Sequence, residues 1–383
     1  MYYIIIFKIV FGVCQKWSIR EKYLLSLKKF IYIITIFNKK GEFMITKSLI
    51  ATLILGSSLF GADALVKKAT DAGLKPIPAS KDALMKLIDN PKNPITDAKV
   101  ELGKKLYFEP RLSKSGFISC NSCHNLAFGG DDKIPAAIGH KWSANPHHLT
   151  SPTVWNSVFF TSQFWDGRDP HLEAQAQGPA QADVEMAATP EHVEAVVTSM
   201  PEYVAEFKKA YGNDVKITFE KVTDTIATFE RTLVTPSRYD DFLNGDAKAL
   251  SAAEKEGLST FIDKGCATCH NDIALGGSLN AFGITGEYKY QNVGDFKGNE
   301  AGLVKVPTLR NVTETAPYFH NGQFWSLKEA IEEMGRIQLG LSLNDKEIAS
   351  IETFLGALEG RKPEIILPQL PKSTAKTPRP NIN

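Results

Sequence analysis

Two five-residue stretches restrict what this 383-residue chain can become more than anything else in it: Cys120-Asn121-Ser122-Cys123-His124 and Cys266-Ala267-Thr268-Cys269-His270. A C-x-x-C-H run is the attachment signature of c-type haem. Two thiols form thioethers to the vinyl groups and the next residue supplies the proximal imidazole. The spacing has a mechanical reason, because one helical turn separates the sulfurs and the following residue points its ring at the iron. Two copies imply two covalently bound haem c groups, on Cys120 and Cys123 and on Cys266 and Cys269, with His124 and His270 on the irons. A thioredoxin-like pair needs a βαβ context and no following His, and one zinc site built from both motifs leaves the adjacent histidines unexplained. Four of the five cysteines are used this way, which leaves no structural disulfide to propose.

The length suits two ordinary domains. With Lys+Arg 44 against Asp+Glu 43, the charge gives no reason to expect a nucleic-acid partner. The N-terminus reads as export rather than fold. Residues 1–43 hold two apolar runs broken by Lys and Arg, neither reaching the roughly 18 residues of a membrane span. From Met44 the grammar is that of a secretory signal: Lys47, an apolar stretch from Leu49 to Leu59, then Ala62-Asp63-Ala64 as a small-x-small cleavage site. The expectation is that translation starts at Met44, with 1–43 upstream of the true start, 44–64 a signal peptide and the mature protein beginning near Leu65. The competing reading is an N-terminal anchor that includes Cys14. Export fits the cofactor, since covalent haem attachment in bacteria takes place on the periplasmic side.

The rest of the chain reads as helices joined by long loops. Thr96 caps a helix through Val100, Leu102, Leu106 and Tyr107 that leads into the first motif. Residues 127–150 hold Gly129, Gly130, Pro135, Gly139 and Pro146 without periodicity and form a long loop, which in a compact domain is usually functional. It contains His140, Trp142, His147 and His148. Thr189-Pro190 and Met200-Pro201 start two further helices, the second stopped by Gly212, and Val222, Ile226, Phe229 and Leu233 mark another. Ser251 to Glu254 is a capping box before a helix that stops at Gly265, next to the second motif. Ser326 to Glu329 starts a helix expected to end at Gly335, and Asn344 to Leu358 carries a last apolar stripe. No long alternating strand pattern occurs, so the fold class is all-α: two cytochrome c-like haem domains with long loops, the second a duplicate of the first. The boundaries are 65–235 for the N-terminal domain, with the Pro-rich tail 362–383 packing on it, and 236–361 for the C-terminal domain.

Each iron also needs a sixth position assigned, because a Met ligand raises the potential while a displaceable one admits a substrate. In the second half the candidates are Met334 and His320, and spacing alone does not choose between ligation and packing. From about Asp89 to Pro380 the residues resemble the bacterial dihaem cytochrome c peroxidases. The resemblance is carried by the two haem motifs, Ile138-Gly139-His140-Lys141-Trp142, Ser151-Pro152-Thr153-Val154, Phe164-Trp165-Asp166-Gly167-Arg168, Val184-Glu185-Met186, Ala316-Pro317-Tyr318-Phe319-His320-Asn321-Gly322 and Met334-Gly335.

That resemblance implies a division of labour. The C-terminal haem, on His270 and Met334, is the electron-accepting one. The N-terminal haem, on His124, is peroxidatic, with His140 as a ligand that leaves when the other haem is reduced. Trp165 is implied as the bridge between haems and Glu185 as the acid/base residue, with Gln175 nearby. The resemblance also implies a calcium ion, a homodimer, and a small periplasmic donor such as a monohaem cytochrome c or a cupredoxin. For calcium the chain departs from the family pattern: the carbonyls match Thr315 and Pro317, but the amide expected before Ser151 is Thr150, in a loop two residues longer, with Asn145 a possible substitute.

The chemistry itself is general. Reducing hydrogen peroxide to two waters needs an open iron face, two electrons and a proton moved between the oxygens, and a buried carboxylate such as Glu185 can move it. A plain dihaem electron carrier is the alternative and requires both irons to stay six-coordinate. A related branch that oxidises tryptophans of a partner protein has Tyr where Met334 stands, so Met334 argues against it.

Overall fold

The computed structural model describes residues 62–383, so the expected upstream region 1–43 and the body of the expected signal peptide lie outside the described residues. Past a first helical stretch ending at residue 71, the longer helices are α1 (Lys81–Ile88), α2 (Asp97–Tyr107), α3 (Pro190–Thr198), α4 (Pro201–Tyr211), α5 (Phe219–Glu230), α6 (Ala252–Asp263), α7 (Leu327–Leu339) and α8 (Asp345–Gly356). Strand β1 (Leu279–Ala281) pairs antiparallel with β2 (Leu303–Lys305), setting Leu279 opposite Lys305. The fold is helix-rich, as the periodicity predicts.

Local chemistry explains the helix starts. Thr96 and Thr189 accept from the N–H groups of Lys99 and His192, and Ser251 and Glu254 bond reciprocally across the first turn of α6. One expectation is corrected. Helix α7 does not end at Gly335 but runs on to Leu339, where Gly340 adopts the left-handed conformation (φ 64°) that closes a helix. Gly335 lies inside α7 because there a Cβ would come 2.9 Å from Leu343 Cδ1.

The helix before each haem motif crosses a later helix in the same way. In the first half α2 lies on α5, with Gly103 so close that a Cβ would sit 2.2 Å from Thr225 O and 2.9 Å from Phe229 Cβ. In the second half α6 lies on α8, with Gly257 placed 2.2 Å from Ser350 O and 2.8 Å from Phe354 Cβ by the same measure. Four residues beyond each glycine an aromatic ring meets that phenylalanine: Tyr107 on Phe229 at 5.4 Å and Phe261 on Phe354 at 5.2 Å between centroids. Missing side chains let the backbones approach, and the aromatic pair fills the next layer.

Links between halves are polar and buried. Asp240, essentially inaccessible and bound twice by Arg310 of its own half at 2.9 and 2.8 Å, accepts from Ile77 N–H of the other half. The C-terminal tail runs along the first half: Pro371 O accepts from Arg111, Thr374 Oγ1 donates to Ser199 O, and Asn381 N–H donates to Lys114 O.

Candidate functional site

Both C-x-x-C-H motifs are wound as one turn, with His124 N–H donating to Cys120 O at 2.9 Å and His270 N–H to Cys266 O at 3.1 Å. Each imidazole is then held from behind. His124 Nδ1 lies 2.9 Å from Pro152 O and His270 Nδ1 lies 3.2 Å from Leu275 O. A carbonyl only accepts, so Nδ1 carries the hydrogen and Nε2 keeps its lone pair, the arrangement that a metal-bound histidine needs. Burial pushes both imidazoles toward the neutral form, His270 down to about 4. Burial also pushes the thiols up, Cys123 to about 12 and Cys266 to about 11. That is the reverse of an activated redox pair, whose thiol is lowered.

The first motif opens on a small cavity (≈ 60 Å³) lined by Cys120, Cys123, His124, Gln175, Glu185 and Glu230. Burial raises the Glu185 carboxyl above its ordinary value, partly opposed by Arg168. Glu230 is 5% exposed, has no partner for Oε2, and is pushed up to about 8 by burial and then by Glu173. Beside this cavity lies the 127–150 loop, folded on itself through Ala137 N–H to Leu149 O and Asn145 N–H to Ala137 O. His140 sits on a 3-10 turn whose next residues, Lys141 and Trp142, have φ 60° and 57°, conformations that cost roughly 1–2 kcal/mol each for a residue with a Cβ. The His140 ring is buried and neither nitrogen has a partner. Such orphaned nitrogens demand an acceptor, donor or metal, and an iron ligand meets that demand. The loop is seated through His140 N–H on Glu185 O (2.8 Å). His147 and His148 turn elsewhere, to Asp295 (2.8 Å) and Gln323 (3.1 Å).

The second motif opens on a larger cavity (≈ 210 Å³) whose lining includes Cys266, Cys269, His270, Met334, His320 and Trp165. Met334 is half-buried on α7 and packs against Tyr288, Phe324 and Ile337. His320 is buried among rings, with Trp165, Phe282, Tyr288 and Phe296 centroids at 6.3, 5.5, 5.7 and 5.4 Å. Trp165 donates from Nε1 to Thr150 O at 3.0 Å.

Thr150, Thr315 and Pro317 also line this cavity. Thr150 already uses its N–H on His320 O, its hydroxyl on Ile134 O and its carbonyl on Trp165, while Asn145 Oδ1 accepts from His147 N–H. Two residues that sequence reasoning passed over stand out: Glu230 in the first cavity and Lys305, 3% exposed, in the second. Lys305 interrupts the apolar run Leu303 to Val306, a signal that could have found it, whereas Glu230 directly follows the buried turn Ile226 to Phe229 and is continued by Arg231.

A family model described as di-haem cytochrome c peroxidase matches residues 97–248. The chain is 50% identical over 287 residues to cytochrome c551 peroxidase of Nitrosomonas europaea, covering 73% of this chain and 85% of that protein. It is 43% identical over 342 residues to cytochrome c551 peroxidase of Pseudomonas aeruginosa, covering 86% and 96%. Among solved structures, a MauG-like protein associated with microbial copper homeostasis superposes with a TM-score of 0.63 at 25% identity, covering 71% of this chain and 92% of that one.

Proposed function

Because this chain belongs to the di-haem cytochrome c peroxidase family and is a peroxide-reducing oxidoreductase with haem, we propose that its two halves divide the reaction. In this reading residues 65–235, with the tail, form the peroxidatic domain, and residues 236–361 form the electron-accepting one. The repeated glycine and aromatic crossing of α2 on α5 and α6 on α8 supports a duplicated unit.

When bound, the haems supply redox-active iron, one as the peroxide site and one as the electron store. Everything else is done by the chain. Cys120 and Cys123, and Cys266 and Cys269, would anchor the haems, and His124 and His270 would hold them, since each has Nδ1 engaged by a carbonyl. Met334, in the middle of α7, would supply a soft thioether to the C-terminal haem. His140 would hold the N-terminal haem from the loop, and its orphaned ring is the observation that carries the reading. The loop that carries His140 is tied through its N–H to the main-chain carbonyl of Glu185, so a movement of that loop would reach the segment that carries the acid/base residue. Glu185, whose carboxyl burial raises above its ordinary value against the opposing charge of Arg168, is the residue that would carry a proton between the two oxygens of peroxide, and Gln175 lines the same cavity. Trp165 passes electrons: its Nε1 grips Thr150 O, and two residues on Pro152 O accepts from His124, a short path between the cavities.

The donor is a small monohaem cytochrome c or cupredoxin, and the protein acts in the periplasm, which the signal grammar from Met44 supports, as a homodimer. A calcium ion completes the site if Thr315 and Pro317 offer carbonyls. With Thr150 engaged, the rest of such an ion's oxygen donors would have to come from water, which hard cations of this kind accept beside carbonyls.

The experiment is His140→Gly. This variant should show a high-spin oxidised spectrum and turn over peroxide without prior reduction. If it still needs reduction to bind peroxide, His140 is not the gate.

A further inference from the structure

A buried lysine in the C-terminal cavity has no counter-charge. Lys305 ends β2, donates its N–H to Trp165 O at 2.8 Å and sends its side chain into the cavity lined by Cys266, Cys269 and His270. Its residue exposure is 3%, yet among the described residues it makes no ion pair and no side-chain hydrogen bond. Its nearest favourable contact is the Phe160 ring, 4.9 Å from Nζ to centroid. Asp166 is the acid whose charge it feels, and that carboxylate is already held by Arg168 at 3.0 and 3.1 Å. Burial pulls the amine down only to about 8, so it stays largely cationic at neutral pH.

A cation–π contact offsets only part of the cost of taking an ammonium out of water, and a buried charge persists only when paired. The cavity must therefore receive an anion. Any haem brings two propionate carboxylates. We propose that Lys305 Nζ pairs with a propionate of the haem held by His270 and raises that haem's potential, acting as a positioning and tuning residue. A fixed positive charge beside the iron favours the ferrous state, the one with less positive charge. The proposal rests on the reading that His270 and Met334 hold this haem.

The test is a spectroelectrochemical titration of the holoprotein at neutral pH with Lys305→Met and Lys305→Arg, each checked for two haems per chain. Lys305→Met should make reduction of the C-terminal haem at least tenfold less favourable, a fall of about 59 mV for one electron, with a smaller shift at the N-terminal haem. Lys305→Arg should restore most of the loss, which a purely steric role would not. If Lys305→Met loses its haem, Lys305→Gln, similar in length and neutral, gives the same comparison. An unchanged C-terminal potential, a larger shift at the N-terminal haem, or an arginine variant no better than methionine overturns the proposal. A wild-type spectrum lacking the methionine-to-ferric charge-transfer band instead removes the Met334 premise, and the pairing falls with it.

Discussion

The two halves repeat one kind of helix crossing, α2 on α5 and α6 on α8, but the residues proposed to complete the two irons stand on different kinds of element. His140 sits on an irregular loop with two left-handed residues behind it, whereas Met334 sits in the middle of a thirteen-residue helix. A ligand on such a loop can leave at the cost of a few backbone bonds, while one on α7 cannot leave without unwinding hydrogen-bonded turns. The polar content differs in the same sense. The N-terminal cavity is lined by two carboxyl groups that can carry protons, Glu185 and Glu230, with Gln175 beside them, and the C-terminal one is lined largely by apolar and aromatic residues, with Lys305 and Asp131 as its buried charged residues. In the proposed division, catalysis and electron storage would be separated by the kind of element that carries His140 or Met334 and by what surrounds it.

The largest expected effect breaks the chemical half of the contrast. Glu185→Gln keeps the shape of the side chain but cannot shuttle a proton, so peroxide turnover should fall by about 10² to 10⁴ while both haem potentials stay in place. Turnover within tenfold of the parent would leave Glu185 as wall. Next comes Met334→His, in which imidazole replaces the thioether that favours ferrous iron. The C-terminal potential should drop sharply and donor-driven turnover with it; an unchanged potential would return Met334 to packing and bring His320 forward as the ligand.

A matched pair of glycine variants sharpens the loop-against-helix contrast. A Cβ on Gly139 would sit 1.8 Å from Val184 O, backbone that cannot swing aside, whereas on Gly335 it meets the end of the Leu343 side chain at 2.9 Å. Gly139→Ala should therefore unseat the His140 turn and leave part of the oxidised N-terminal iron high-spin. Gly335→Ala should leave the C-terminal spectrum unchanged, and equal effects from the two would erase the distinction.

The smallest effect is one of stability. The Glu230 carboxyl is pushed up to about 8 in the fold, against an ordinary value near ~4.3 when unfolded. Its protonated form therefore contributes stability that is full below about 4.3 and lost as pH rises toward 8. Glu230→Gln should melt progressively higher than the parent from pH 5 to pH 8.5; a constant difference would mean that Glu230 does not titrate there.

Much of this was legible in the residues, and the reasons differ by region. Anchors and helices announce themselves, because C-x-x-C-H and Thr or Ser caps act through neighbours three or four residues away. The end of α7 was not, since whether Gly335 or Gly340 stops the helix depends on Leu343 packing across the turn. Nor were Glu230 and Lys305: their meaning comes from which cavity they face, and that is set by contacts far apart in the chain, such as Lys305 N–H on Trp165 O. His140 came from the resemblance, while its unpartnered ring nitrogens are a fact that only the fold supplies.

The claim at the centre of the account is that one iron opens when the other is reduced. A stepwise reductive titration of the wild-type protein, followed by visible absorbance with and without peroxide, tests it directly. After one electron per chain the account predicts a ferrous, low-spin C-terminal haem together with a newly high-spin N-terminal haem whose spectrum shifts on adding peroxide. A half-reduced protein in which both haems stay low-spin and peroxide changes nothing would contradict it, and would make the chain an electron carrier.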